Sequence, residues 1–211
     1  MEVFVRELTD LHRRLRGEIC ERLEEFDRIG KSASPADIFA DLVFCILTPQ
    51  SDAHLCWGAV EILRERNLLL KGSATKIAAV LRGRARFHNT KAKNIVLARK
   101  NLTELYEKIH TERSNRQLRE WIVENIRGLG YKEASHFLRN IGRGEGLVIL
   151  DRHIMRCLRD FGVIEEPPAS FSKKRYLEME ELTRSWSRKA CIPLLHLDFL
   201  FWHREKNEIF K

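Results

Sequence analysis

Lys132 follows a Gly128-Leu129-Gly130 turn by two places, and Asp151 stands nineteen residues further on. A lysine amine that has shed its proton is a nucleophile, and a carboxylate facing it can stabilise positive charge building on the carbon under attack. Free lysine titrates near about 10.4, so this chemistry asks for a partly dry site among other cations. Arg127, Arg139 and Arg152 are the candidate cationic neighbours. Simpler roles exist for both residues. An exposed lysine touches phosphate or water, and an aspartate ahead of a helix is an ordinary N-cap. For Asp151 the two roles are compatible, because a capping carboxylate stays ionised and keeps a fixed direction.

The elements that must position this pair are readable around it. Residues 118–126 carry a helical pattern and end at the Gly-Leu-Gly turn. A second helical run follows, with Ala134, Phe137, Leu138 and Ile141 on one face. Glycine tolerates the positive φ such a turn can need, and missing side chains let backbone N–H groups approach a phosphate. A Gly-rich loop, 142–146, and an apolar run, 147–150, lead to Asp151, which opens a helix to about Phe161.

The rest of the chain reads as helices too. Leu8, Leu11, Leu15, Ile19, Leu23 and Phe26 form a stripe in a helix over 3–29. Ser34 and Pro35 start a buried-looking helix ending at Leu47. Thr48-Pro49-Gln50-Ser51 is a turn, with Ser51 as cap of a helix over 52–66. A short helix is expected over 73–82, a basic loop over 84–89 and one long helix over 90–110. Ser114 caps the helix before the Gly-Leu-Gly turn, and the last helices cover 172–188 and 192–205. No convincing strand, repeat or low-complexity segment appears, so the fold class is all-α.

The chain has 211 residues, with Lys+Arg 38 against Asp+Glu 30, a formal charge of +8 and a pI near 9.4. That balance favours a polyanionic partner. The basic loop contains Arg84, Arg86 and Phe87, a mixture suited to phosphate contact and base stacking. The alternative for Phe87 is a place in the core. Five cysteines are scattered with no C-x-x-C, so neither a zinc site nor a redox pair is suggested. Most of them read as core thiols. No signal peptide or membrane span is visible, which implies a reducing, cytoplasmic compartment.

The Gly-x-Gly-x-Lys turn with its downstream aspartate resembles the helix-hairpin-helix of the helix-hairpin-helix-GPD superfamily of DNA repair glycosylases. The resemblance implies two helical subdomains flanking a DNA cleft. One is a barrel over 34–141, and 1–33 plus 142–211 form the other. It implies that Lys132 attacks C1′ of a damaged nucleotide while Asp151 assists. Gly128 and Gly130 would grip phosphates, His153 would contact another, and hairpin carbonyls can hold a monovalent cation. Leu47-Thr48-Pro49-Gln50-Ser51-Asp52 resembles the stretch of endonuclease III relatives whose glutamine, here Gln50, enters the duplex. Their four-cysteine spacing is absent, so no iron–sulfur cluster is expected, nor any catalytic metal.

The end of the chain, from Phe201-Trp202 to Lys211, resembles the type-two 8-oxoguanine DNA glycosylases of archaea and some bacteria. In that family a late tryptophan stacks on the flipped base, and the last lysine's carboxylate reads the guanine edge. Trp202 and Lys211 would be those residues, with Phe87 as the opposite stacking face. A carboxylate suits guanine because it accepts from N1–H and the exocyclic amine together. The implied protein is a prokaryotic, monomeric glycosylase and lyase acting on duplex DNA that contains 8-oxoguanine. Two alternatives stay open: a lyase for oxidised pyrimidines, and a non-catalytic helix-hairpin-helix DNA-binding module.

Overall fold

The computed structural model describes residues 2–168 and 172–211. Among them there is no strand. In chain order the helices are α1 (Glu2–Ser32), α2 (Pro35–Leu47), α3 (Ala53–Glu65), α4 (Leu68–Lys71), α5 (Ala74–Leu81) and α6 (His88–Ala98). They continue with α7 (Leu102–Thr111), α8 (Asn115–Asn125), α9 (Tyr131–Asn140), α10 (Arg152–Asp160), α11 (Lys173–Ala190) and α12 (Leu194–Lys206). None of these is long and apolar enough to cross a membrane.

Two hydrophobic cores organise the molecule. One collects buried residues from Ile38 to Leu147, centred on α2, whose residues 38–47 are all buried. The other joins Leu8, Leu15, Ile19 and Phe26 of α1 to buried residues between Val148 and Phe201. Ile29 packs against both. The stripe read along α1 therefore faces the second core, with Leu11 and Leu23 at its margin.

Several helix starts follow the sequence signals. Ser34, Ser73, Ser114, Asp151 and Ser172 each cap a helix through a side-chain oxygen. Other expectations are corrected. Asp52, not Ser51, caps α3, and Asp52 Oδ1 accepts from Leu55 N at 3.0 Å. Ser51 is engaged elsewhere, since Arg86 N donates to its Oγ at 2.9 Å. The long helix expected over 90–110 breaks into α6, a 3₁₀ turn at Arg99–Asn101, and α7. At that turn the Arg99 guanidinium leaves the helix line to serve the carbonyls of Leu68, Leu69 and Gly72. Those carbonyls belong to α4, a one-turn helix without an amphipathic period to betray it. The basic loop ends at Phe87, because α6 already starts at His88. Cys45, Cys56 and Cys157 are core thiols, but Cys191 is exposed, at the left-handed C-cap of α11.

The apolar run before Asp151 belongs to neither a helix nor a sheet. Side chains of α11 satisfy its backbone instead. Val148 N donates to Glu180 at 2.9 Å, Tyr176 Oη donates to Val148 O at 2.6 Å, and Leu150 N donates to Tyr176 Oη at 3.2 Å. Glu180 in turn holds Arg119 of α8 through two contacts, at 2.6 and 3.0 Å, with both side chains buried. Burial disfavours the Arg119 guanidinium, and Glu180 more than offsets this, so its affinity for the proton rises. The helix before the glycine turn and the apolar run before Asp151 are thereby pinned to one carboxylate.

Candidate active site

α8 ends at Asn125 with Ile126 as its C-cap, and the chain reverses over Arg127 to Gly130 into α9. Gly128 has φ +96, and a Cβ there would lie 2.4 Å from Asn94 Nδ2. Glycine is required at this position on both counts. Gly130 is extended at φ −95, ψ −171, and a Cβ there would meet nothing closer than 3.5 Å. As N-cap of α9 it supplies no side-chain cap, so the first-turn N–H groups of α9 are left for another acceptor. A hairpin glycine thus shapes the turn, while its partner leaves a helix start open.

A cleft of about 830 Å³ lies beside this hairpin. Lys132 of α9 and Asp151 at the start of α10 both line it, together with Gln50, Arg86, Arg152, His153, Trp202 and Lys211. Its walls come from both cores, so the cleft runs between them. Asp151 caps α10 by accepting from Ile154 N at 2.8 Å, which fixes its carboxylate at the rim. Lys132 is about one-quarter exposed, with the Glu133 carboxylate 3.9 Å from its Nζ. Of the three arginines expected near it, Arg152 lines the wall and Arg127 lies outside the cleft. Arg139 lines it too, buried, 3.1 Å from Asp198 of α12 and with its guanidinium 5.0 and 4.5 Å from the ring centres of Phe26 and Phe199. Burial pushes the Asp198 carboxyl upward, and Arg139 pulls it back.

The turn before α3 forms one lip. Gln50 sits at its tip, exposed and left-handed at φ 57, a conformation costly for a non-glycine residue. Lys91 of α6 holds the turn from below. Its Nζ donates to Leu47 O at 2.7 Å, Pro49 O at 2.8 Å and Ser51 Oγ at 3.0 Å. Arg86 reaches the cleft from the basic loop, but Arg84 and Phe87 do not line it. Arg84 turns back to Val80 O at 3.1 Å. Phe87 is 57% exposed with Arg86 over its ring, so it is not a core residue either.

The far end of the cleft is closed by α12 and the tail. Trp202 lines it with its Nε1 buried and unpartnered. His153 lies edge-on to Trp202, 3.2 Å from Glu205 and 2.7 Å from Arg156. The Lys211 side chain turns away from the cleft. Its Nζ is 2.6 Å from buried Asp41 and 3.7 Å above the Trp57 ring. Burial raises the Asp41 carboxyl and Lys211 lowers it again.

Reading the sequence missed Asp41, Lys91, Glu133, His136 and Asp198. For His136 a signal existed, since it follows Lys132 by four residues on one helical run. For Asp41, Lys91 and Asp198 none did, because their partners are far away in the chain. Among the described residues, no group of three or more His, Cys, Asp or Glu is placed to hold a metal ion.

Comparison with known proteins gives a uniform result. A family model described as 8-oxoguanine DNA glycosylase, of the helix-hairpin-helix type, matches residues 19–192. The chain is 40% identical to the 8-oxoguanine DNA glycosylase/AP lyase of Fusobacterium nucleatum over 99% of its own length and 98% of that relative. It is similar in structure to the 8-oxoguanine DNA glycosylase of Thermotoga maritima, with a TM-score of 0.91, 33% identity and 100% of both chains covered. It is also similar to the Methanocaldococcus jannaschii 8-oxoguanine glycosylase/lyase in complex with DNA containing 8-oxoguanine. There the TM-score is 0.90 and the identity 30%, again over 100% of both chains.

Proposed function

The chain belongs to the 8-oxoguanine DNA glycosylase family, and from that membership we propose how its cleft carries out the family's reaction. The protein is a DNA glycosylase and AP lyase that excises 8-oxoguanine from duplex DNA and then nicks the strand. One observation carries the assignment of roles: Lys132 and Asp151, delivered by different helices, line one cleft with Trp202 and Lys211.

In this scheme the duplex lies across the hairpin. The uncapped start of α9 receives a phosphate of the damaged strand, with Arg86, Arg152 and His153 as further backbone contacts. The Gln50 turn occupies the space the flipped nucleotide leaves, offsetting part of a flipping cost of a few kcal/mol. Trp202 stacks on the extruded base and Lys211 reads its edge.

Lys132 Nζ, as the free amine, attacks C1′. The glycosidic bond breaks with its electrons on the base, and Asp151 stabilises the positive charge at C1′. The ring opens to a Schiff base on Lys132, a proton leaves C2′, and the 3′ phosphate departs by β-elimination. No step draws on a redox group or a metal.

Borohydride trapping tests this directly. The protein incubated with 8-oxoguanine duplex and borohydride is expected to form a covalent complex, and Lys132→Gln to form none. A non-catalytic DNA-binding module would give no complex with any damaged base. A protein that cleaved thymine-glycol duplexes and spared 8-oxoguanine would move the substrate to oxidised pyrimidines.

A further inference from the structure

We propose that His136 is a specificity-determining residue, its ring nitrogens hydrogen-bonding the edge of the base flipped into the cleft. The proposal rests on the base-excision reading above. His136 follows Lys132 by four residues on α9, so both project from the same helix face. Both line the cleft. A rise of about 6 Å along the helix separates them. With Lys132 at the sugar, the imidazole stands at the depth of the base.

The ring is 8% exposed, and neither Nδ1 nor Nε2 has a hydrogen-bond partner. Phe44 packs against it edge-on with centroids 5.7 Å apart, fixing its plane from behind. Buried polar groups left without partners are uncommon and costly, which makes a pair of them on one cleft wall informative. The remaining orphan nitrogens of Arg139 belong to a guanidinium already paired with Asp198. His136 has no such anchor.

The ring is also held neutral. Burial keeps its pKa well below the ordinary value, and the cations Arg139 and Lys132 push the same way. The main chain of Lys211 pulls the other way, by less. A neutral imidazole offers one donor and one acceptor. The edge of 8-oxoguanine presents O6 between two N–H groups, N1–H and the N7–H that oxidation creates. The imidazole can donate to O6 or accept from either neighbour. Guanine carries a bare acceptor at N7 and lacks one of those two N–H groups.

The test compares His136→Phe, which keeps a ring and removes both nitrogens, with the unaltered protein. Single-turnover excision from 8-oxoguanine duplex should fall roughly ten- to a hundredfold. Affinity for duplex carrying uncleavable 2′-fluoro-8-oxoguanosine should fall similarly. Affinity for a tetrahydrofuran duplex, which has no base, should not change, nor should borohydride trapping on a preformed abasic site. His136→Asn, which restores a donor and an acceptor, should recover part of the loss. Should His136→Phe fail to fold, His136→Met carries the same comparison. Unchanged excision of 8-oxoguanine overturns the proposal, and so does an equal loss on baseless DNA, which would make the residue structural. Unaltered protein that leaves 8-oxoguanine in place sinks the functional reading itself, and His136 with it.

Discussion

At the scale of single residues, the site depends on which glycine does which job. Gly128 and Gly130 look alike in sequence, but only Gly128 is left-handed and pressed against Asn94. Gly128→Ala should therefore destabilise the protein by roughly 2–4 kcal/mol, combining a left-handed alanine with a steric clash. Gly130→Ala should stay within about 1 kcal/mol, the range for N-cap exchanges. Urea unfolding of the two variants measures the difference, and equal losses would contradict this division of labour. The proposed catalytic pair could be suspected without a structure, because a Gly-x-Gly-x-Lys turn with a downstream aspartate resembles the hairpin of the DNA repair glycosylases. Asp198, seated beside Arg139 in the cleft wall, gave no comparable hint, since α12 and α9 are joined only by folding.

At the scale of elements, the cleft is built from pieces held at a distance. The Gln50 lip depends on Lys91, a buried side chain of α6 whose three contacts all lie in the 47–51 turn. Lys91→Met should leave those acceptors unpaired and cost about 2–3 kcal/mol. It should also weaken lesion-duplex binding while leaving borohydride trapping on abasic DNA near the unaltered level. Retention of full duplex affinity would show that the lip does not need this support. The run before Asp151 follows the same logic. Its backbone joins neither a helix nor a sheet, and Glu180 and Tyr176 take hydrogen bonds that such an element would have supplied. Local pattern alone cannot reveal that substitution, because the partners arrive from α11.

At the scale of the molecule, the beginning of the chain meets its last helix. His12 and His196 face each other, Nε2 to Nδ1, at 3.0 Å between α1 and α12. Burial, then His12 and Arg16, hold the His196 pKa down at about 4. Unfolded histidine protonates near about 6.5. Between those values the unfolded chain binds the extra proton and the folded chain does not, so stability falls as the pH is lowered through that window. The loss should reach on the order of 2 kcal/mol by about pH 4. His196→Leu should flatten it. Urea midpoints measured from pH 7 to 4 on both proteins check this, and an equally steep fall in the variant would place the effect elsewhere.

Much of this protein was legible before it was folded. Helical periodicity located most helices, serine and aspartate caps located their starts, and the Gly-x-Gly-x-Lys turn with Asp151 pointed to two residues that line one cleft. These are local signals, because a helix is closed by hydrogen bonds four residues apart and a cap by bonds three residues apart. What only the tertiary structure decided is everything that depends on distant partners. Arg99 breaks a helix to serve α4, Lys91 sets the Gln50 turn, Asp41 takes the Lys211 side chain, and His136 is left buried and unpartnered in the cleft wall. Those outcomes follow from which side chains burial brings together, and burial is settled by the packing of whole helices rather than by neighbours along the chain.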